Sequence, residues 1–349
     1  MKLASIFFTA SAVYLRFYER LELNTTDMYK FKPILKSMLW GGDKIIPYKG
    51  IVSDEKSVGE SWEISGVKEN ESVVAEGPDA GMLLPELIRR DGAALLGKAN
   101  LERFGEEFPL LIKFIDARQD LSIQVHPNDE QAWERHQSKG KTEMWYVVDA
   151  DPGSSLRSGF AKQVTPEEYE ASIADNTITD LLAEYDIKAG DLFFLPAGRI
   201  HSIGAGAFIA EIQQTSNITY RIYDFNRVDA NGNPRELHTE QSKAVIDYSV
   251  QDDYRTHYVA ENDKCTELVS CPYFTTSLYK LTKEHDIELA ALDSFVILIC
   301  TKGNGTITDN NGDTITVRQG ESILVPATTT GLKVVPEGEM ELLGSWIVE

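Results

Sequence analysis

The sequence predicts a mainly β fold, laid out as two domains or one elongated two-barrel unit with a short helical insertion. Three observations predict it. Residues 121–126 alternate strictly between apolar and polar. Lys141–Tyr146 alternate again after a break at Gly140. The pattern G-x5-P at Gly190–Pro196 returns at Gly320–Pro326, an internal repeat about 130 residues apart. A chain of 349 residues, 42% of them hydrophobic, can bury a large core.

In the first stretch Leu121, Ile123 and Val125 are apolar, and Ser122, Gln124 and His126 lie two residues apart on the other face of a strand. A polar face of this kind is either solvated or turned inward, and inward it needs a metal ion or a ligand to satisfy it. Pro127-Asn128-Asp129 ends the strand, and Asn128 or Asp129 can cap a short helix through Gln131–Gln137. On the second strand Lys141 and Glu143 share a face.

The remaining elements follow from local pattern. Residues 30–66 alternate short β-like runs with turns, and Trp40 and Trp62 read as core or pocket-wall aromatics. Residues 82–104 carry Leu83, Leu84, Leu87, Ile88, Leu95 and Leu96 near helical spacing. Pro109–Ile115 reads as a strand with one lysine, Lys113, among apolar neighbours; a buried lysine needs an anionic partner or a shifted pKa, and an edge lysine needs neither. Residues 165–186 predict one or two helices, opened by Thr165, Pro166 and Glu168 in a capping-box arrangement. Strands resume from about Cys271, with Asn311-Gly312 as a hairpin turn. Residues 1–27, bearing the apolar run Leu3–Leu15, which is too short to span a bilayer, read as a signal peptide or as a poorly ordered extension; a family resemblance that begins at Met28 favours the extension and implies a catalytic domain over 28–260 and a C-terminal domain over 261–349.

A formal net charge of -21 argues against partnership with nucleic acid or with anionic membranes. No glycine-rich nucleotide-binding signature is present. Three cysteines, Cys265, Cys271 and Cys300, are odd in number and suit a reducing, cytoplasmic setting. A monomer or weak homo-oligomer is expected. His136, His238, His257 and His285 have no ligand partners at useful spacing and are assigned to surface or packing positions.

Residues 190–201 fit G-x5-P-x-G-x2-H and resemble the second motif of the cupin superfamily, in which the final histidine, here His201, is a metal ligand at the end of a barrel strand. The motif's closing Asn is replaced by Ala205. The first cupin motif resembles His-x-His followed by Glu; here Gln124 replaces its first histidine and His126 is its second. Glu130 stands at the spacing of a simple cupin, but it falls in the first turn of a helix, where the dipole already favours a carboxylate. Glu143 is the better ligand, on a strand expected to pair back beside the first. Gly331 stands where His201 stands in the earlier copy, so the second barrel is expected to lack metal ligands.

PLLIKFIDARQDLSIQVHP, GKTEMWY, FLPAGRIHSIGAG and the run to YRIYDFNR, with KPILKSMLWGG and GESWEIS before them, resemble the type I mannose-6-phosphate isomerases in their short bacterial form. The resemblance runs from Met28 to the end. It implies an aldose-ketose isomerase acting on a sugar phosphate through an enediolate, with one divalent ion per chain, zinc, held by Gln124, His126, Glu143 and His201. An amide oxygen is an unusual zinc ligand, so ligand type also admits manganese, cobalt or iron. The resemblance places Lys113 by the metal, and Ser122, Lys113 and Arg227 as substrate-binding residues. Lys141, Glu211 and Arg221 are the candidates for proton transfer, with arginine ranked last because of its high pKa. Asn217 stands where some relatives carry an aspartate. The competing readings are a sugar-phosphate-binding regulator without turnover, a cupin metal oxidoreductase, and an isomerase for another sugar phosphate such as glucose 6-phosphate.

Overall fold

The computed structural model describes residues 28–229 and 231–347. The expectations for residues 1–27 lie outside the described residues. The chain forms two units, each made of two sheets, and the named strands pair antiparallel throughout.

In the first unit a five-stranded sheet runs in the order Tyr220–Tyr223, Ile123–Val125, His201–Ile203, Ser155–Phe160, Leu182–Asp186. A six-stranded sheet faces it, in the order Ile34–Gly42, Val58–Ile64, Leu110–Asp116, Ala207–Gln214, Glu143–Ala150, Leu192–Leu195. The second unit carries a six-stranded sheet built on Val296–Lys302 and Met340–Trp346, and a four-stranded sheet built on Asn304–Asp309 and Gly331–Pro336. Tyr29–Lys30 crosses to this unit and pairs with Ile323 and Leu324.

Alternation explains how the six-stranded sheet of the first unit serves two purposes. Leu110, Ile112 and Phe114, Met144 and Tyr146, and Phe208, Ala210 and Ile212 join one buried cluster. That cluster also takes in Phe274, Phe295, Ile297, Leu324 and Leu343 of the second unit. One face of the sheet is thereby committed to joining the units. The opposite face, carrying Lys113, Glu143, Trp145 and Glu211, is free to line an interior.

Several expectations change in detail. The helical stripe over 82–104 is three short helices, Leu84–Asp91, Ala93–Leu96 and Lys98–Phe104, divided at Gly92 and Gly97, whose φ values of 51° and 90° no helix continues through. The helix expected over 165–186 stops early. Pro166–Ala174 is helical with the Thr165 capping box, Ile178–Leu181 is a short 3₁₀ turn, and Leu182–Asp186 is a strand paired with Ser155–Phe160. The open edge of the five-stranded sheet offers that segment a ladder of backbone hydrogen bonds, and pairing overrides helical propensity. The strand expected from Lys141 begins at Glu143. Glu143 does not pair beside Ile123–Val125; its strand lies in the facing sheet, between Ala207–Gln214 and Leu192–Leu195.

Phe295 is fully buried and its ring centroid lies 4.9 Å from that of Phe108, across the junction of the two units. Phe295→Ala is expected to destabilise the protein by about 3–5 kcal/mol. Urea denaturation should show this as one shifted transition; an unchanged midpoint would mean the junction contributes little.

Candidate active site

The site is two cross-strand rows facing each other. On the five-stranded sheet Arg221 is registered with Gln124, Gln124 with His201, and His201 with Ser158. On the six-stranded sheet Trp62 is registered with Lys113, Lys113 with Glu211, and Glu211 with Trp145. Glu143 stands one inward position from Trp145, and is registered with Gln213. Directly registered side chains on one face of a sheet lie within contact distance, so each row is continuous.

The loop between the rows is set by Gly140. A Cβ there would fall 2.6 Å from the Asn128 carbonyl carbon and the Asp129 nitrogen, so only glycine permits this approach. The helix Asp129–His136 is capped by Asn128, which accepts from Gln131 N, and the Asp129 carboxylate accepts from Gly140 N. Glu130 is exposed in its first turn, away from the site. Lys141 N donates to Pro127 O at 3.1 Å, which delivers the lysine beside His126.

His126 donates from Nδ1 to the Ile218 carbonyl at 2.9 Å, and His201 donates from Nδ1 to the Arg199 carbonyl at 2.8 Å. A carbonyl oxygen only accepts, so each ring carries its proton on Nδ1 and aims a bare Nε2 lone pair inward. Burial, with Lys141 adding to it, holds His201 down at about 3 and His126 well below its ordinary value, so both rings are neutral. Glu143 is fully buried between them, with Oε1 3.2 Å from His201 Nε2 and Oε2 3.7 Å from His126 Nε2. Oε1 has no hydrogen-bond donor. An acceptor facing an acceptor in a dry interior is unfavourable unless a cation lies between them.

The ligating atoms of His126, Glu143 and His201 lie within 4.8 Å of one another, the one such His/Cys/Asp/Glu group found among the described residues. Two neutral imidazoles and one carboxylate are a fitting donor set for a divalent ion. Gln124 Nε2 stands 3.3 Å from His201 Nε2. A half turn of the amide presents its oxygen to the same point.

Lys141 Nζ lies 2.6 Å from Glu143 Oε2 and 3.1 Å from His126 Nε2, so the amine and an ion address the same atoms. Lys113 pairs with Glu211 at 3.1 Å and, more distantly, with Glu60 at 3.9 Å. Burial opposes its charge, but the two carboxylates win and raise its pKa. Burial also pushes Glu211 upward, yet Lys113, Lys141 and the Trp145 Nε1 hydrogen bond at 2.8 Å bring it to about 2. Burial holds the Glu143 carboxyl above the usual range, against the pull of Lys141.

Ser122, Gln124, Lys113, Lys141, Glu211 and Arg221 all line one cavity of about 600 Å³. Arg227 does not line it; its guanidinium donates to Asp120 O and to Asp224, each at 2.5 Å. Arg235, Glu60 and Lys36 do line it, with Trp40 and Trp62. Glu60 was within reach of sequence reasoning, because it alternates with Trp62 on the strand. Arg235 sits in a loop, where no periodicity marks it.

The model of the type I phosphomannose isomerase catalytic domain matches residues 28–174, and that of the mannose-6-phosphate isomerase cupin domain matches residues 264–347. Mannose-6-phosphate isomerase ManA of Bacillus subtilis is 34% identical over 306 residues, covering 86% of this chain and 94% of the relative. The chain belongs to the type I phosphomannose isomerase family. The mannose-6-phosphate isomerase of Streptococcus mutans is 33% identical over 308 residues, 88% of this chain and 94% of the relative. The crystal structure of the Bacillus subtilis mannose 6-phosphate isomerase superposes with a TM-score of 0.82 at 29% identity, over 92% of this chain and 99% of that one.

As a type I phosphomannose isomerase the chain is a metal-dependent enzyme, and His126, Glu143 and His201 form its metal-binding cluster. Stripping the ion with a chelator is expected to lower the unfolding temperature, and restoring it at a hundred times its Kd should return about 2.7 kcal/mol of stability. His201→Ala should show neither effect in a thermal melt. A full return of stability on adding metal to that variant would place the ion elsewhere.

Proposed function

We propose that this enzyme interconverts D-mannose 6-phosphate and D-fructose 6-phosphate, with zinc as its resident ion and Gln124 as a fourth ligand. One observation carries the substrate assignment. Five basic side chains (Lys36, Lys113, Lys141, Arg221 and Arg235) and three acidic ones (Glu55, Glu60 and Glu211) line the cavity of a chain whose formal net charge is -21. An excess of positive charge in one recess of so acidic a protein suits an anionic ligand, and its volume lies in the range of small-molecule sites. The relatives named above carry the same activity in their names.

Aldose-ketose interconversion removes a proton from one carbon, builds negative charge on oxygen in an enediolate, and returns a proton to the neighbouring carbon. A bound divalent ion supplies Lewis-acid stabilisation of that charge. Lys113 adds a buried cationic group to the cavity, and Lys141 a buried amine beside His126 and Glu143. Arg221 stands one strand from Gln124 and two from His201, at the other end of the row, where a phosphate six carbons' length away would fall. Anchoring the phosphate there positions the reacting carbons against Lys141 and Glu211.

Among the three candidate proton carriers, Lys141 ranks first. Glu211 is held strongly ionised by Lys113 and Trp145, which suits it to fix charge rather than accept a proton. Burial and the neighbouring Arg235 lower the Arg221 pKa, but a guanidinium still stays protonated. Ser122, buried at the cavity wall, would donate to a substrate oxygen, and Arg227 would add charge behind Asp224.

We place the enzyme in the cytoplasm. Cys265, Cys271 and Cys300 are all free thiols, as a reducing compartment requires, and no helix of the described residues is long and apolar enough to cross a membrane.

A coupled assay for fructose 6-phosphate formation, with and without chelator, tests the proposal. Turnover should be abolished by chelation and restored by zinc. Tight binding of mannose 6-phosphate without turnover after zinc loading would favour a regulator instead. Lys141→Met is expected to cut kcat by about 10²–10⁴-fold with the ion retained; loss of the ion would assign Lys141 a structural task.

A further inference from the structure

Two guanidiniums, those of Arg227 and Arg235, gather beside that of Arg221 around a single buried carboxylate, Asp224. Arg235 donates from Nε to Asp224 Oδ2 at 2.7 Å and from Nη2 to Asp224 Oδ1 at 2.5 Å. Arg227 donates to the same Oδ1 at 2.5 Å. Arg221 donates from Nη1 to the Glu236 carbonyl at 2.9 Å, and its buried Nε has no partner. The Glu236 carboxylate, 82% exposed and 4.0 Å from His238, also pulls on Arg221, but less than Asp224 does. One buried carboxylate therefore faces three positive groups, with a second only at the solvent edge, and the recess has room for an anion.

The loop bearing Arg235 is built to hold it in place. Asp229 accepts from the backbone nitrogens of Asn231 at 2.8 Å and Asn233 at 2.9 Å, closing the turn on itself. Val228 bridges to Pro234, and His238 exchanges two hydrogen bonds with the Arg221 backbone, at 2.7 and 3.1 Å. The two-pronged bond to Asp224 consumes one edge of the guanidinium, and Nη1 makes no hydrogen bond among the described residues. Arg235 lines the cavity, whereas Arg227 is spent on Asp120 and Asp224.

We propose that Arg235, oriented by Asp224, is a substrate-binding residue that meets the phosphate group directly and sets the enzyme's preference for phosphorylated sugars. This rests on the sugar-phosphate reading above and assigns its anion subsite to a residue outside the strands. Asp224 is the positioning residue: it fixes the plane of Arg235 and keeps the cluster from repelling itself before substrate arrives.

The test compares wild type, Arg235→Ala and Arg235→Lys in the coupled assay, with inorganic phosphate as competitive inhibitor, metal content measured on each and phosphate binding followed by calorimetry. Arg235→Ala should raise KM for mannose 6-phosphate and Ki for inorganic phosphate together, by about 10–100-fold, a larger change than any fall in kcat, with the ion retained. Arg235→Lys keeps the charge but not the fork, and should fall between the two; it serves as the reading if the alanine variant does not fold. Unchanged KM and Ki in a folded variant, or a loss confined to kcat, overturns the proposal while wild-type turnover leaves the isomerase reading standing. Absence of wild-type turnover on the sugar phosphate would instead remove the reading on which it rests.

Discussion

The constraint on which the site depends is the confrontation of two imidazole lone pairs with a carboxylate in a dry interior. His126 and His201 spend their Nδ1 protons on backbone carbonyls, so their Nε2 atoms can only accept. Glu143 arrives from the opposite sheet with an oxygen that no donor satisfies. Such an arrangement is stable only around positive charge, and the fold supplies two kinds: the Lys141 amine and space for a divalent ion. Because both address the same atoms, metal loading and the position of Lys141 are linked.

The fold exists to hold that confrontation rigid. The six-stranded sheet carries the cluster on one face and is welded to the second unit by the other, through Leu110, Phe114, Phe208, Phe274 and Phe295. Half-buried polar bonds cross the same junction: Tyr146 donates to Glu341 at 2.8 Å, and Tyr48 donates to the Thr301 carbonyl at 2.7 Å. Tyr146 lies on the strand that bears Glu143, so the second unit, which carries no comparable cluster among the described residues, braces the strand that delivers a ligand. Positive charge is concentrated where the two units are not joined, inside the first.

Much of this was legible in the sequence, for a physical reason: strands announce their faces by period two. Gln124, His126 and His201 followed from alternation and from a motif whose spacing requires a turn before a strand, whereas the inward placement of Lys113 came from the family resemblance, since alternation alone also allows an edge lysine. Glu143 was found as a residue, but not its route, because alternation says which side of a strand a residue takes and not which sheet the strand joins. Leu182–Asp186 was misread as helix for the same reason, since only the open edge of the neighbouring sheet decides it. Arg235 lay beyond reach: its place depends on Asp224 and on a self-closed turn, and neither leaves a periodic trace.

The account is tested most directly by anomalous diffraction from crystals of the metal-loaded enzyme, recorded on either side of the ion's absorption edge. It predicts a single peak per chain within bonding distance of His126 Nε2, His201 Nε2 and a Glu143 oxygen, with the Gln124 amide turned toward it. A peak elsewhere in the chain, with those three side chains still paired as described to Lys141 and to one another, would contradict it.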